Sequence, residues 1–153
     1  MGSGDMYPKG GNMLHTIRHS IHNDQLFRNI LAGLNQTFYH QTVDGSQIQE
    51  YISKKAGYDY NKVFKQYLTT TQIPELDLYI NAKNDEVFYK WTNCIDGFNL
   101  PLSLTNSKES LRILPAQKWQ SIKVTHAQLD LFNAVSIEKM YYIKVKELQR
   151  MND

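Results

Sequence analysis

The stretch Thr69-Thr70-Thr71-Gln72-Ile73-Pro74-Glu75-Leu76-Asp77-Leu78-Tyr79-Ile80-Asn81 is where the hydrophobic period of this chain changes. Before it, apolar residues recur every three or four positions, the helical spacing. From Leu76 onward they alternate, with Leu76, Leu78 and Ile80 set against Glu75, Asp77, Tyr79 and Asn81. Pro74 has no amide hydrogen and biases Ile73 away from helical geometry. Helix is therefore expected to give way to strand within a few residues of Pro74.

Upstream of this point, four helices are expected. Pro8 is suited to the first helical turn. Met13, Leu14, Ile17 and Ile21 form one stripe, Asn23-Asp24 breaks and recaps, and Leu26, Phe27, Ile30, Leu31, Leu34 and Phe38 form a second. Asp44 and Gln47 have capping-box spacing, flanked by Val43 and Ile48 as a hydrophobic staple. Ile48, Tyr51, Ile52 and Ala56 line the third helix, and Gly57 ends it. A fourth starts at Asp59 and carries Val63, Phe64, Tyr67 and Leu68.

Downstream, six short strands are expected. They are Leu76–Ile80, Val87–Trp91, Phe98–Leu104, Ser110–Leu114, Trp119–Thr125 and Tyr141–Leu148. Asp96-Gly97 has the form of a two-residue hairpin turn, and Pro101 points its strand toward an edge or a bulge. The predicted class is α+β, with N-terminal helices followed by a small antiparallel β-sandwich. Residues 1–4 read as an initiator and linker appended to the chain. Residues 5–73 form the helical part and 74–153 the sandwich.

Composition limits the function classes. The 153 residues include 41% hydrophobic and 12% aromatic residues, enough for a packed core. Seventeen cations face 15 anions, and only four cations are Arg, none of them in a run. That argues against a nucleic-acid partner. No apolar stretch reaches the roughly 18–20 residues of a membrane span, so no membrane partner is expected. Cys94 is the only cysteine, which excludes an internal disulfide and any multi-cysteine metal site. Placed in a strand pattern with no His or Asp beside it, Cys94 reads as a buried, inert thiol.

His15 and His19 have the i, i+4 spacing of a helix-borne zinc pair, and His22 extends the row. Thr16 occupies the position where a general-base Glu would stand, and no carboxylate completes the set. The three histidines are expected on the polar face of the first helix rather than as metal ligands. Gly10-Gly11 lacks the strand and further glycines of a phosphate loop. The carboxylates show no acid–base pairing.

Four ordered segments carry a family resemblance. Tyr7-Pro8-Lys9-Gly10-Gly11-Asn12-Met13-Leu14-His15-Thr16-Ile17-Arg18 resembles the Y-x-K-G-x-x-M-L-x-x-L-R segment of the aminopeptidase N family of zinc metallopeptidases, the gluzincins. Phe27 through Phe38 is similar to that family's F-x-x-x-L-x-x-L-x-x-x-F helix. Ile48–Ser53 with Ala56-Gly57 resembles its F-x-x-x-x-S-x-x-S-G helix. Phe64–Leu76 resembles its Q-W-L-x-x-x-G-x-P-x-L junction, with Tyr67 in place of Trp and Gln72 in place of Gly. Gly97–Leu102 resembles a strand of the small sandwich domain that follows.

The resemblance implies that this chain begins just after the H-E-x-x-H zinc motif and its downstream Glu. It would join the end of a thermolysin-like catalytic domain to a sandwich. Zinc would belong to the parent protein and no cofactor to this fragment, which would be inactive alone. The implied partners are a peptide substrate and the remainder of the catalytic domain, with self-association of the face left uncovered. Tyr7 takes the family's tyrosine position, where the hydroxyl donates to the oxyanion formed when zinc-bound water attacks the scissile carbonyl. Lys9, Gly10 and Gly11 would serve the helix start and close packing. The alternatives are a non-catalytic scaffold or interaction module and, third, a metal protein using His15, His19 and His22.

Overall fold

The structure, a computed structural model, describes residues 6–149; the initiator-and-linker reading of Met1–Gly4, and Asp5, lie outside the described residues. Four helices come first: α1 (Met6–Ile21), α2 (Asp24–Thr37), α3 (Gly45–Ala56) and α4 (Asn61–Thr69). Asn23 caps α2 by accepting from the Leu26 amide at 2.9 Å. Asp44 and Gln47 form the full capping box of α3. Gly57 ends α3 in the left-handed region at φ 70°, where a Cβ would be strained. The fourth helix starts slightly later than expected. Tyr60 is its N-cap, and Asp59 instead bonds the Asn61 amide at 2.9 Å.

The buried stripe of α1 differs from the apolar stripe of its sequence. Met13, Thr16, Ile17 and Ser20 are buried, while Leu14 and Ile21 are half-buried. Two hydroxyl side chains therefore enter the core, and both are bonded there. Thr16 Oγ1 accepts from the Tyr142 amide at 2.8 Å, and Ser20 Oγ lies 3.0 Å from the Tyr60 hydroxyl.

Helix ends at Thr69 and strand begins at Glu75, on either side of Pro74. Six strands follow: β1 (Glu75–Asn81), β2 (Glu86–Thr92), β3 (Leu102–Thr105), β4 (Ser110–Ile113), β5 (Gln120–Lys123) and β6 (Lys144–Glu147). They form a four-stranded sheet in the order β5-β2-β1-β6 and a separate β3-β4 hairpin. The β1–β2 pair is antiparallel, with Leu78 opposite Tyr89, and β2 pairs antiparallel with β5.

Two details depart from the expected antiparallel arrangement. First, β6 runs parallel to β1, with Leu76 opposite Val145. A parallel return needs a crossover, and the chain supplies one as a 3₁₀ helix (His126–Phe132) followed by α5 (Ala134–Met140). Those helical turns carried no expectation from the hydrophobic pattern. Second, Asp96-Gly97 does not turn a hairpin, because β2 and β3 lie in different sheets. Gly97 still needs its left-handed φ of 74°. The alternation Phe98, Leu100, Leu102, Leu104 is a real burial pattern, since all four are buried. Only its second half joins a ladder, as Pro101 has no donor to give.

A single apolar cluster runs from Met13 of α1 through Tyr67 and Trp91 to Ile143, so helices and sheets share one core. No described helix is long and apolar enough to cross a membrane.

Candidate functional site at the start of α1

Tyr7 sits in the first turn of α1 and is 82% exposed. Its phenol therefore projects from a helix whose other end is anchored in the core. Beside it, Pro8, Lys9 and Asn12 line an open cleft of about 220 Å³, with Thr71, Gln72, Ile73 and Tyr142 on the other side. Lys9 is committed across this cleft. Its Nζ donates to the Thr70 carbonyl at 2.7 Å, which satisfies a carbonyl at the end of α4 and fastens α1 to it.

Gly10 and Gly11 do not serve close packing within this chain. A Cβ on either would meet nothing within 4 Å. The packing expectation for these two residues is corrected accordingly.

The Thr70–Ile73 side of the cleft is held by Gln66, fully buried on α4. Its Nε2 donates to Thr70 Oγ1 and to the Gln72 carbonyl, both at 3.0 Å, and its Oε1 accepts from the Ile95 amide at 2.7 Å. One amide thus ties α4, the Thr70–Ile73 segment and the loop after β2 together. Gln66 is the glutamine of the Q-W-L segment, but its role as a clasp was not apparent from spacing. Tyr67 beside it donates to the Tyr142 carbonyl at 2.7 Å, and burial drives its phenol far above the ordinary value.

Among the described residues, no group of three His, Cys, Asp or Glu side chains is placed to hold a metal ion. The described residues do not fit a zinc site. The His15 and His19 rings instead contact each other edge-on, with centroids 4.4 Å apart. His22 takes a left-handed backbone, φ 54°, at the end of α1. Burial, then His15 and Arg18, hold the His19 imidazole below its usual pKa.

Cys94 is half-buried, and burial pushes its thiol up to about 11. A thiol so protonated is a poor nucleophile at neutral pH.

Comparison with solved structures finds likenesses to this fold. The chain matches the crystal structure of Legionella pneumophila aminopeptidase A in complex with aspartic acid, with a TM-score of 0.62 and 17% identity. The match covers 94% of this chain and 18% of that one. No protein-family model matches the sequence, and no curated protein matches it. The shared feature is the fold: helices followed by strands, laid out as in a segment of an aminopeptidase.

Proposed function

We propose that this chain is part of a zinc aminopeptidase that removes N-terminal residues from peptides. In this reading it forms the end of the catalytic domain and the small β domain that follows, and it is inactive alone. The observation that carries the reading is the likeness to an aminopeptidase over 94% of the chain. It joins the four ordered sequence segments that begin at Tyr7.

Tyr7 is the residue of this chain assigned to chemistry. An exposed phenol at a helix start can donate one hydrogen bond to an oxygen that gains charge as a carbonyl is attacked. Such a donor acts mainly in the transition state, because the charge appears only there. Zinc, in this reading, is held by the rest of the catalytic domain. Exposed Tyr7, Leu68 and Val135 favour self-association when that domain is absent. Sedimentation at high concentration is expected to show species larger than a monomer.

The coding sequence upstream of Asp5 tests the proposal. An intact H-E-x-x-H with a downstream Glu, and peptide hydrolysis by the expressed parent, is the expected result. A parent without those ligands and without hydrolysis would favour the scaffold reading instead.

A further inference from the structure

The His15–His19 pair stands on the seam between α1 and the sheets. The His19 ring edge faces Tyr141 at 6.0 Å between centroids. Tyr141 is buried, and its hydroxyl accepts from the Ser103 amide at 2.8 Å and donates to the Ser103 carbonyl at 3.1 Å. The next amide, Tyr142 N–H, donates to Thr16 Oγ1 on α1. The two imidazoles therefore lie beside the hydrogen bonds that join the chain entering β6 to β3 and to α1.

The charges around this seam are unbalanced. On and just after α1, Arg18 and His22 are the other basic groups acting on His19. From α2 comes Asp24, the one carboxylate acting on it, already bonded twice to the Arg18 guanidinium at 2.8 and 2.6 Å. Arg28 acts on the same carboxylate. From β4 comes Arg112, whose Nη1 donates to the Ser20 carbonyl. The chain after α5 contributes the phenols of Tyr141 and Tyr142. On α5, Glu138 is committed to the Val145 amide and Lys139 is exposed. The charged residues of α4, Lys62 and Lys65, are exposed cations. Among the described residues, protons added to the imidazoles enter a cationic neighbourhood whose one acting carboxylate, Asp24, is already bonded to Arg18.

We propose that His15 and His19 form an acid-sensitive latch: uncharged, their rings pack on each other and beside Tyr141; charged, they repel each other and Arg18 and loosen α1 from the Tyr141–Ile143 segment. The sign follows from linkage. A histidine held below its usual pKa in the closed state contributes stability above the ordinary imidazole value, and that contribution is lost as pH falls.

Hydrogen exchange of the full chain, followed by NMR at about pH 7.5 and about pH 5 on either side of the imidazole range, tests this. Rates are compared as protection factors, so that intrinsic exchange cancels. The expected result is a several-fold loss of protection at the Tyr142 and Ser103 amides in acid, with the β1–β2 amides unchanged. His19→Gln should remove most of that loss, and His15→Gln, at an exposed position, should reduce it. Equal protection at the two pH values would overturn the latch. So would an acid loss shared by the β1–β2 amides, or one undiminished in His15→Gln. The His15 variant decides the matter even where His19→Gln impairs folding.

Discussion

Arg112 Nη1 donates to the Ser20 carbonyl at 2.8 Å, joining β4 to the last turn of α1 across 92 residues of sequence. The same nitrogen lies 3.4 Å from Ser103 Oγ. The carbonyls ending a helix carry partial negative charge, so a guanidinium there both satisfies a free acceptor and complements the dipole. Arg112→Met keeps much of the aliphatic stem and removes the donor. It should destabilise the chain by about 1.5–3 kcal/mol, the range for hydrogen bonds to charged groups. Urea unfolding checks this, with the slope of the transition expected to be unchanged.

Gln66 makes a second prediction, because its three bonds differ in kind. Gln66→Leu leaves the Ile95 amide and the Gln72 carbonyl without their partner, at about 1–3 kcal/mol for each group left buried and unbonded. Gln66→Glu retains an acceptor for Ile95 but puts a carboxylate against two acceptors. Its destabilisation should be larger at neutral pH and should shrink in acid, where a protonated carboxyl can donate again. Thermal melts at several pH values separate the two variants.

The helix-to-strand change at Pro74 and the caps of α2 and α3 were legible in the sequence because each rests on residues a few positions apart. The parallel partnership of β1 with β6 was not. Leu76 and Val145 are 69 positions apart, and nothing local to either specifies the direction of pairing. Residues 126–140 fold as helical turns whose short apolar pattern is ambiguous between periods. Thr16 and Ser20 are not in the apolar stripe read for α1, yet they enter the core because Tyr142 and Tyr60 arrive from elsewhere to bond them. Tyr7 was singled out by a motif. It is exposed at the start of α1, while Lys9 of the same motif proves to be a structural tie.

Two positions should gain stability when changed. Gly11 lies inside α1 with open space around it, so Gly11→Ala should add about 1 kcal/mol from helix propensity. His22 sits at φ 54°, where a non-glycine residue costs roughly 1–2 kcal/mol, so His22→Gly should recover part of that. Differential scanning calorimetry should show a higher Tm for each. A lower Tm for Gly11→Ala would mean that this helix face is packed.

Alkaline pH should unfold the chain. Burial holds the Cys94 thiol up at about 11 and the Tyr141 phenol at about 12, and it raises Tyr67 further. Groups whose folded pKa is raised contribute stability that is complete below their unfolded values and is lost as pH climbs through the folded ones. Stability should therefore stay level to about pH 8 and then fall, since free thiols and phenols ionise from about 8.5 to 10. Circular dichroism across that range, with Tyr67→Phe showing a shallower fall, checks the assignment.

The most direct measurement is steady-state hydrolysis of an aminoacyl chromogenic substrate by the parent protein, with Tyr7 intact and as Tyr7→Phe, and metal analysis of both samples. Phenylalanine removes the hydroxyl and keeps the ring. If Tyr7 donates to the oxyanion, kcat should fall roughly 10²–10³-fold, about 2.7–4 kcal/mol, as for other oxyanion donors. KM should change little and bound zinc not at all. A Tyr7→Phe protein with near-normal kcat, or one that has lost its zinc, would contradict the account.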